Sequence, residues 1–340
     1  MQEIKQNKIY FYWLLTCCLL LILLIWVGGF TRLTGSGLSI TKWEVFSGLL
    51  PPFTHEKWLE YFNLYKEIPE YKKINYGMTL DEFKVIYGWE YVHRVIARFL
   101  VLVFLIPYLY FCYKEKISSF YKKFFGFVFL LFLSQGFMGW YMVKSGLISD
   151  TDVSHFRLAA HLSLAIIIYC LLLIAFFNHK ENKIKLSFNK NSKILLIMIL
   201  LLIGQIVWGA FTSGLNAGLL YQTWPLMNGK FIADDINMLN IFSSMSLTNP
   251  SYVQLIHRLL AYFIFVLFIF LYFFKFRKLK NKKFIYPVYF VLFIQIALGI
   301  LTLISGLNIY LASMHQMGSV LLITAVIYAL FSLNNDRNAN

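Results

Sequence analysis

Charge is scarce in this chain. Only 14% of its 340 residues are Asp, Glu, Lys or Arg, against about 25% in soluble domains. That excludes an ordinary water-soluble globule with a charged surface. Acids are scarcer than bases, 16 against 31, for a net charge of +15. A basic surplus can serve nucleic acid, but these bases form no aromatic-laced patch. They sit in short loops between apolar runs, so no nucleic-acid partner is expected. Cysteine is nearly absent too. Cys17, Cys18, Cys112 and Cys170 lie inside or at the edge of apolar runs, which excludes a disulfide framework. No CxxC or CxxCH occurs, so covalent heme attachment is not signalled. No small-x-small cleavage site follows the first apolar run, residues 11–29, which is too long for a signal-peptide core and reads as a retained helix.

What the chain has is hydrophobic length. Hydrophobic residues make up 59%, and the mean hydropathy is +0.65. A membrane helix needs roughly 20 apolar residues. Eight segments qualify, at about 11–29, 88–112, 121–142, 157–177, 194–212, 252–274, 285–305 and 312–332. Lysines and arginines cluster at Lys5 and Lys8, at 114–123, at 180–193 and at 275–283, while the alternate loops hold only Lys144, Arg157 and Lys230. The positive-inside rule then places both termini in the cytoplasm. The first outer loop, residues 30–87, is long enough to weigh less in that rule. Within it EKWLEYFNLYKEIPEY reads as a short amphipathic helix at the membrane interface. Thr79 and Glu82 have capping-box spacing, which predicts that the second membrane helix begins about two turns early.

The chain also repeats itself. GGFTRLTGSGL from residue 28 is echoed by GAFTSGLNAGL (209–219), EYVHR by QLIHR, QGFMGWYMVKSGL (135–147) by QIALGILTLISGL (295–307), and LAAH by ASMH. Four helices per half is an even number, so both halves cross in the same sense. The expected fold is an all-α membrane protein, with eight transmembrane helices forming two parallel-repeat four-helix bundles. The halves are residues 1–180, with the outer loop 30–87, and residues 181–340.

Four of the seven histidines occupy matching places in the repeat: His93, His161, His257 and His315, each near the outer start of an even-numbered helix. His55 and His179 read as solvated loop residues, and His155 as a secondary candidate. Buried membrane histidines often only satisfy packing, but two pairs at matched depth point to ligation. Two imidazoles with no thiolate or carboxylate cluster suit a six-coordinate heme iron better than zinc. Arg94 and Arg258 each follow a histidine and either pair with heme propionates or snorkel to headgroups. Gln135 and Gln295, each four residues before a glycine, read as helix–helix glue. Met314 is an alternative ligand but more commonly a packing residue. Glu90, one turn before His93, has only Gln254 as its counterpart. It is either a carboxylate placed for proton or cation chemistry or the ion-pair partner of Arg94.

At these residues the sequence resembles the heme A synthase family in its alphaproteobacterial and mitochondrial form. The stretches that carry the likeness are GGFTRLTGSGLSI, IPEY, EFK with EYVHR, GLNAG with WPLMNG, NPSYVQLIHR and MHQ. They run from residue 28 to about 317. The resemblance implies oxidation of a ring methyl of heme O to a formyl group, by way of a hydroxymethyl and a gem-diol, to give heme A for terminal oxidases. It implies a substrate heme between His93 and His161, a heme b cofactor between His257 and His315, and Glu90 as the functionally important acid. Some bacterial relatives carry a cysteine pair in the first outer loop; this chain has none there. A bacterial inner (cell) membrane location follows, with heme O synthase, the farnesyltransferase upstream, as a plausible donor. The electron acceptor is not specified, and a homo-oligomer is compatible with the sequence. The competing expectation is a di-heme membrane cytochrome b that only passes electrons; a heme transporter would need histidines along a through-path.

Overall fold

A computed structural model describes residues 8–42, 48, 50–149, 151–185, 189–279 and 282–338. Lys5 and Lys280, used above for orientation, lie outside the described residues. The helices are α1 (Lys8–Leu33), α2 (His55–Lys66), α3 (Pro69–Lys73), α4 (Leu80–Tyr113), α5 (Ser119–Ser149), α6 (His155–Phe177), α7 (Lys190–Gly214), α8 (Met245–Thr248), α9 (Pro250–Phe274), α10 (Tyr286–Ile304) and α11 (Ile309–Asn338). Among the described residues there is no β-strand, only one isolated bridge between Met227 and Lys230. Among the described residues, eight helices are long and apolar enough to cross a membrane: α1, α4, α5, α6, α7, α9, α10 and α11. They coincide with the eight apolar segments and fit a multi-pass membrane protein.

The chain divides into two compact units, Leu15–Ala165 and Met1–Leu14 with Ile166–Asn340. In the first unit α4 is the longest element. Its 34 residues span about 51 Å at 1.5 Å per residue, against about 30 Å of hydrocarbon. The excess lies at its start, where the Thr79 hydroxyl accepts from the Glu82 N–H and the Glu82 carboxylate accepts from the Thr79 N–H at 2.8 Å. The expected capping box is therefore present, and the helix does begin at Leu80 rather than near 88. The early turns serve as a wall. Tyr61, Phe62 and Tyr65 of α2 bury against Phe83, Ile86 and Tyr87 of α4, with Phe62 and Tyr65 ring centres 5.1 and 5.2 Å from that of Phe83. The most buried face of α2 thus packs on α4.

The second unit builds its own cap from residues 215–249. Met227, Ala233 and Ile236 pack on Tyr252 and Leu255 at the start of α9. The Tyr252 hydroxyl donates to the Asn237 carbonyl at 3.0 Å and accepts from its N–H at 2.8 Å. Below the cap, α7 packs on α9 and α11, and α10 on α11.

Candidate functional site

Each of the four matched histidines rests against a glycine of the preceding long helix. A Cβ added at Gly28 would lie 3.1 Å from the His93 ring, at Gly139 3.1 Å from His161, at Gly209 3.3 Å from His257 and at Gly299 2.8 Å from His315. A side chain at Gly299 would displace its imidazole, and at the other three positions the ring would have to yield by a few tenths of an ångström, a reason for glycine at these helical positions despite its poor helix propensity. In the first unit the His93 and His161 ring centres are 6.4 Å apart. Two imidazoles sharing one metal at about 2.0–2.1 Å from each nitrogen require roughly 6 to 6.5 Å between ring centres, so this pair has the separation that axial ligation demands. In the second unit His257 and His315 are near enough to interact electrostatically. His315 Nδ1–H donates to the Gln295 carbonyl at 3.2 Å, which leaves the lone pair of the ring on Nε2. Among the described residues, no three or more His, Cys, Asp or Glu gather as a metal cluster. Two imidazoles alone suit an iron whose other four positions are filled by a porphyrin.

A second residue recurs beside these glycines. Gln135, Gln205 and Gln295, one turn earlier on their helices, each donate an amide N–H to the backbone carbonyl of the facing histidine: Gln135 to His161 at 3.0 Å, Gln205 to His257 at 3.1 Å and Gln295 to His315 at 3.0 Å. The glue expected of Gln135 and Gln295 is therefore directed at the histidine-bearing turns. Gln205 escaped notice in the sequence because its counterpart in the first half is Leu24.

Glu90 is buried, 3% exposed, and receives four donors. Arg94 Nε and Nη2 donate to Oε1 at 3.0 and 2.5 Å; Ser39 Oγ and the Ile40 N–H donate to Oε2 at 2.6 and 2.8 Å. Arg94 also reaches the Ile40 carbonyl at 3.2 Å. The ion pair foreseen as an alternative for Glu90 thus exists, and it fixes the carboxylate one turn from His93. In the second unit Gln254 donates to the Tyr221 carbonyl at 3.1 Å, and Arg258 donates to the Tyr221 and Thr223 carbonyls at 2.7 and 3.0 Å. That loop is docked without an acid, so docking alone does not require one at Glu90. Beside Arg94 lies a cavity of about 260 Å³ whose walls include Ile40, Trp140 and Lys144. Its two cationic side chains suit an anionic ligand edge.

A further acid was not singled out from the sequence. Glu70 of α3, within the IPEY stretch, is only 5% exposed. Burial, then the negative charges of Asp152 and Glu90, push its carboxyl up to about 8, against the opposing pull of Arg32. Arg32 itself bonds Asp152 at 3.1 Å. The remaining histidines stand apart from the pairs. His55 is exposed. His155 begins α6 with its ring 4.0 Å from that of Phe156. His179, expected to be solvated, is half-buried: it contacts the Phe176 carbonyl at 2.8 Å and packs on Phe11. Met314 is exposed.

The profile of the cytochrome oxidase assembly family COX15-CtaA matches residues 11–327. The chain belongs to the COX15-CtaA family. Its relatives include a heme A synthase of Pelagibacter ubique, 47% identical over 95% of this chain and 96% of that protein. Another, from Rickettsia akari, is 40% identical over 95% and 98%. A third, from Wolbachia pipientis wMel, is 43% identical over 98% and 97%.

Proposed function

We propose that this chain is a heme A synthase that oxidises a ring methyl of heme O to a formyl group in a bacterial inner membrane, with both termini cytoplasmic. The observation that carries the reading is the His93–His161 pair at 6.4 Å with a buried carboxylate one turn away, in a chain of this family. The two halves, 1–180 and 181–340, act as two four-helix bundles with divided roles. His93 and His161 hold heme O as substrate; His257 and His315 hold heme b. Bound between His257 and His315, heme b would supply one-electron redox chemistry. Gly28, Gly139, Gly209 and Gly299 give the imidazoles room, and the glutamines fix three of the four turns. Lys144 and the outward side of Arg94 face an anionic edge of the substrate, while Arg258 is committed to loop carbonyls.

Glu90 is the catalytic acid of this reading. Held by Arg94, Ser39 and Ile40, it is fixed and shielded from bulk water, one turn from the proposed ligand His93. It stabilises positive charge developing at the reacting methyl, or receives the proton of the attacking water. The ion pair with Arg94 positions this charge without consuming it. Substrate arrives from the membrane, and a heme O synthase is the partner whose product it is.

The test is co-expression with a source of heme O, followed by extraction and mass analysis of the hemes. A formyl-bearing product from the wild-type chain, and its sharp loss in Glu90→Gln with heme binding kept, are expected. Heme O recovered unchanged from the wild type would contradict the proposal and favour a cytochrome that only carries electrons.

A further inference from the structure

We propose that His93 is the ligand that lets go when the first unit exchanges its heme, because it alone lacks the glutamine that fastens the other three histidines. The inference rests on the reading that heme O binds between His93 and His161.

The fastening device is the same each time. A glutamine one turn before the glycine backstop donates to the carbonyl of the histidine facing that glycine, at 3.0 to 3.1 Å. The direction is natural: the carbonyl points along its helix away from the N-terminus, toward the neighbour's earlier turn. In all three cases the amide oxygen is buried and has no partner. The same amides also lie against the rings: Gln135 Nε2 is 3.3 Å from His161 Nε2 and Gln205 Nε2 is 3.1 Å from His257 Nδ1, while the backbone carbonyl of Gln295 takes the Nδ1–H of His315. Within Leu15–Ala165 the position one turn before Gly28 is Leu24, half-buried. Leucine can neither donate nor accept. Among the described residues no side chain bonds to the His93 carbonyl or ring.

The distribution matches two different tasks. His257 and His315 are both fastened, as suits a heme that stays. His161 is fastened and His93 is not, as suits a heme that must arrive as substrate and leave as product. The Glu90–Arg94–Ile40 network anchors α4 one turn nearer its start, so the helix stays in place while the His93 side chain swings. Partners of metal ligands are worth about 10- to 100-fold in affinity when lost, and the same factor is expected when one is gained.

The experiment uses the full-length protein loaded with heme O and heme b, and measures transfer of each heme to an excess of apo-globin. Leu24→Gln should slow heme O release by about 10- to 100-fold and raise the six-coordinate low-spin fraction in the absorption spectrum. Leu24→Met, which changes packing without adding a donor, should release at the wild-type rate. Gln135→Leu should quicken heme O release, and Gln205→Leu should make heme b begin to leave and change its reduction potential. Heme O release from Leu24→Gln at the wild-type rate would overturn the inference while leaving the substrate site standing. Equal slowing by Leu24→Met would overturn it too. Absence of heme O from the first unit in every variant would overturn both this inference and the substrate assignment.

Discussion

Gly299→Ala is a one-methyl perturbation whose consequences follow from a single distance. The new Cβ would sit 2.8 Å from His315 Cε1 and 3.3 Å from Nδ1. Ordinary contact begins at 3.4 Å, so the ring must retreat by about 0.6 Å, the difference between 3.4 and 2.8. It cannot do so freely, because its Nδ1–H is bonded to the Gln295 carbonyl. Overpacking of this kind costs about 1 to 3 kcal/mol, while alanine in place of a mid-helix glycine returns about 1 kcal/mol. Folding stability should therefore fall by at most about 2 kcal/mol. Heme retention should suffer far more, because a ligand displaced by half an ångström meets the iron badly. The assay is heme b per chain in detergent-purified protein, read beside the thermal unfolding midpoint. Gly204→Ala is the control: on α7, nothing lies within 4 Å of the added methyl, so it should keep its heme and unfold no earlier. A Gly299→Ala protein with full heme and an unshifted spectrum would refute the argument that the glycines exist to make room for the imidazoles.

Three further outcomes are expected. Because burial raises the Glu70 carboxyl to about 8, the first unit should lose stability as pH climbs from about 4.5, where the unfolded chain gives up this proton, to about 8. Glu70→Gln should remove that slope, worth at most about 5 kcal/mol; unfolding midpoints across pH 5 to 9 check it, and parallel wild-type and variant curves would contradict it. Thr79→Ala removes the cap of α4 and should cost about 1 kcal/mol, seen as earlier proteolysis of the 54–90 region; an unchanged digestion pattern would count against it. Arg258→Lys replaces a guanidinium fork on the Tyr221 and Thr223 carbonyls with a single ammonium. Hydrogen exchange in residues 219–230 should quicken, while heme content per chain should stay unchanged; unchanged exchange would show the fork to be dispensable.

Much of the fold was legible because its physics is repetitive. Long apolar runs can only be helices in lipid, and a Thr–Glu pair at capping spacing marks where α4 starts. The four histidines stood out because imidazoles are expensive inside a membrane and recur at matched places. Their supports were less visible. Gln135 and Gln295 recur in the repeat, but Gln205 has leucine as its counterpart, so comparison of the halves passes over it. Its spacing of four from Gly209, shared with the other two pairs, was the available signal. The bond from Ser39 to Glu90 crosses 51 positions, and no local pattern encodes such a contact. The amphipathic pattern of α2 marks a helix with an apolar face, but periodicity does not tell that α4 covers that face. Glu70 was hidden for the opposite reason: in sequence it is one more acid in a charged loop, and only packing buries it.

The central claim is that two pairs of imidazoles each grip a heme iron. Its most direct measurement is heme and iron content per chain, with low-temperature magnetic resonance of the ferric protein, after co-expression with a heme O source. The account predicts two hemes per chain, both with six-coordinate bis-imidazole signatures. It also predicts that His257→Ala loses one signature and His161→Ala the other. Full heme content in either variant, or a protein that binds no heme, would contradict it.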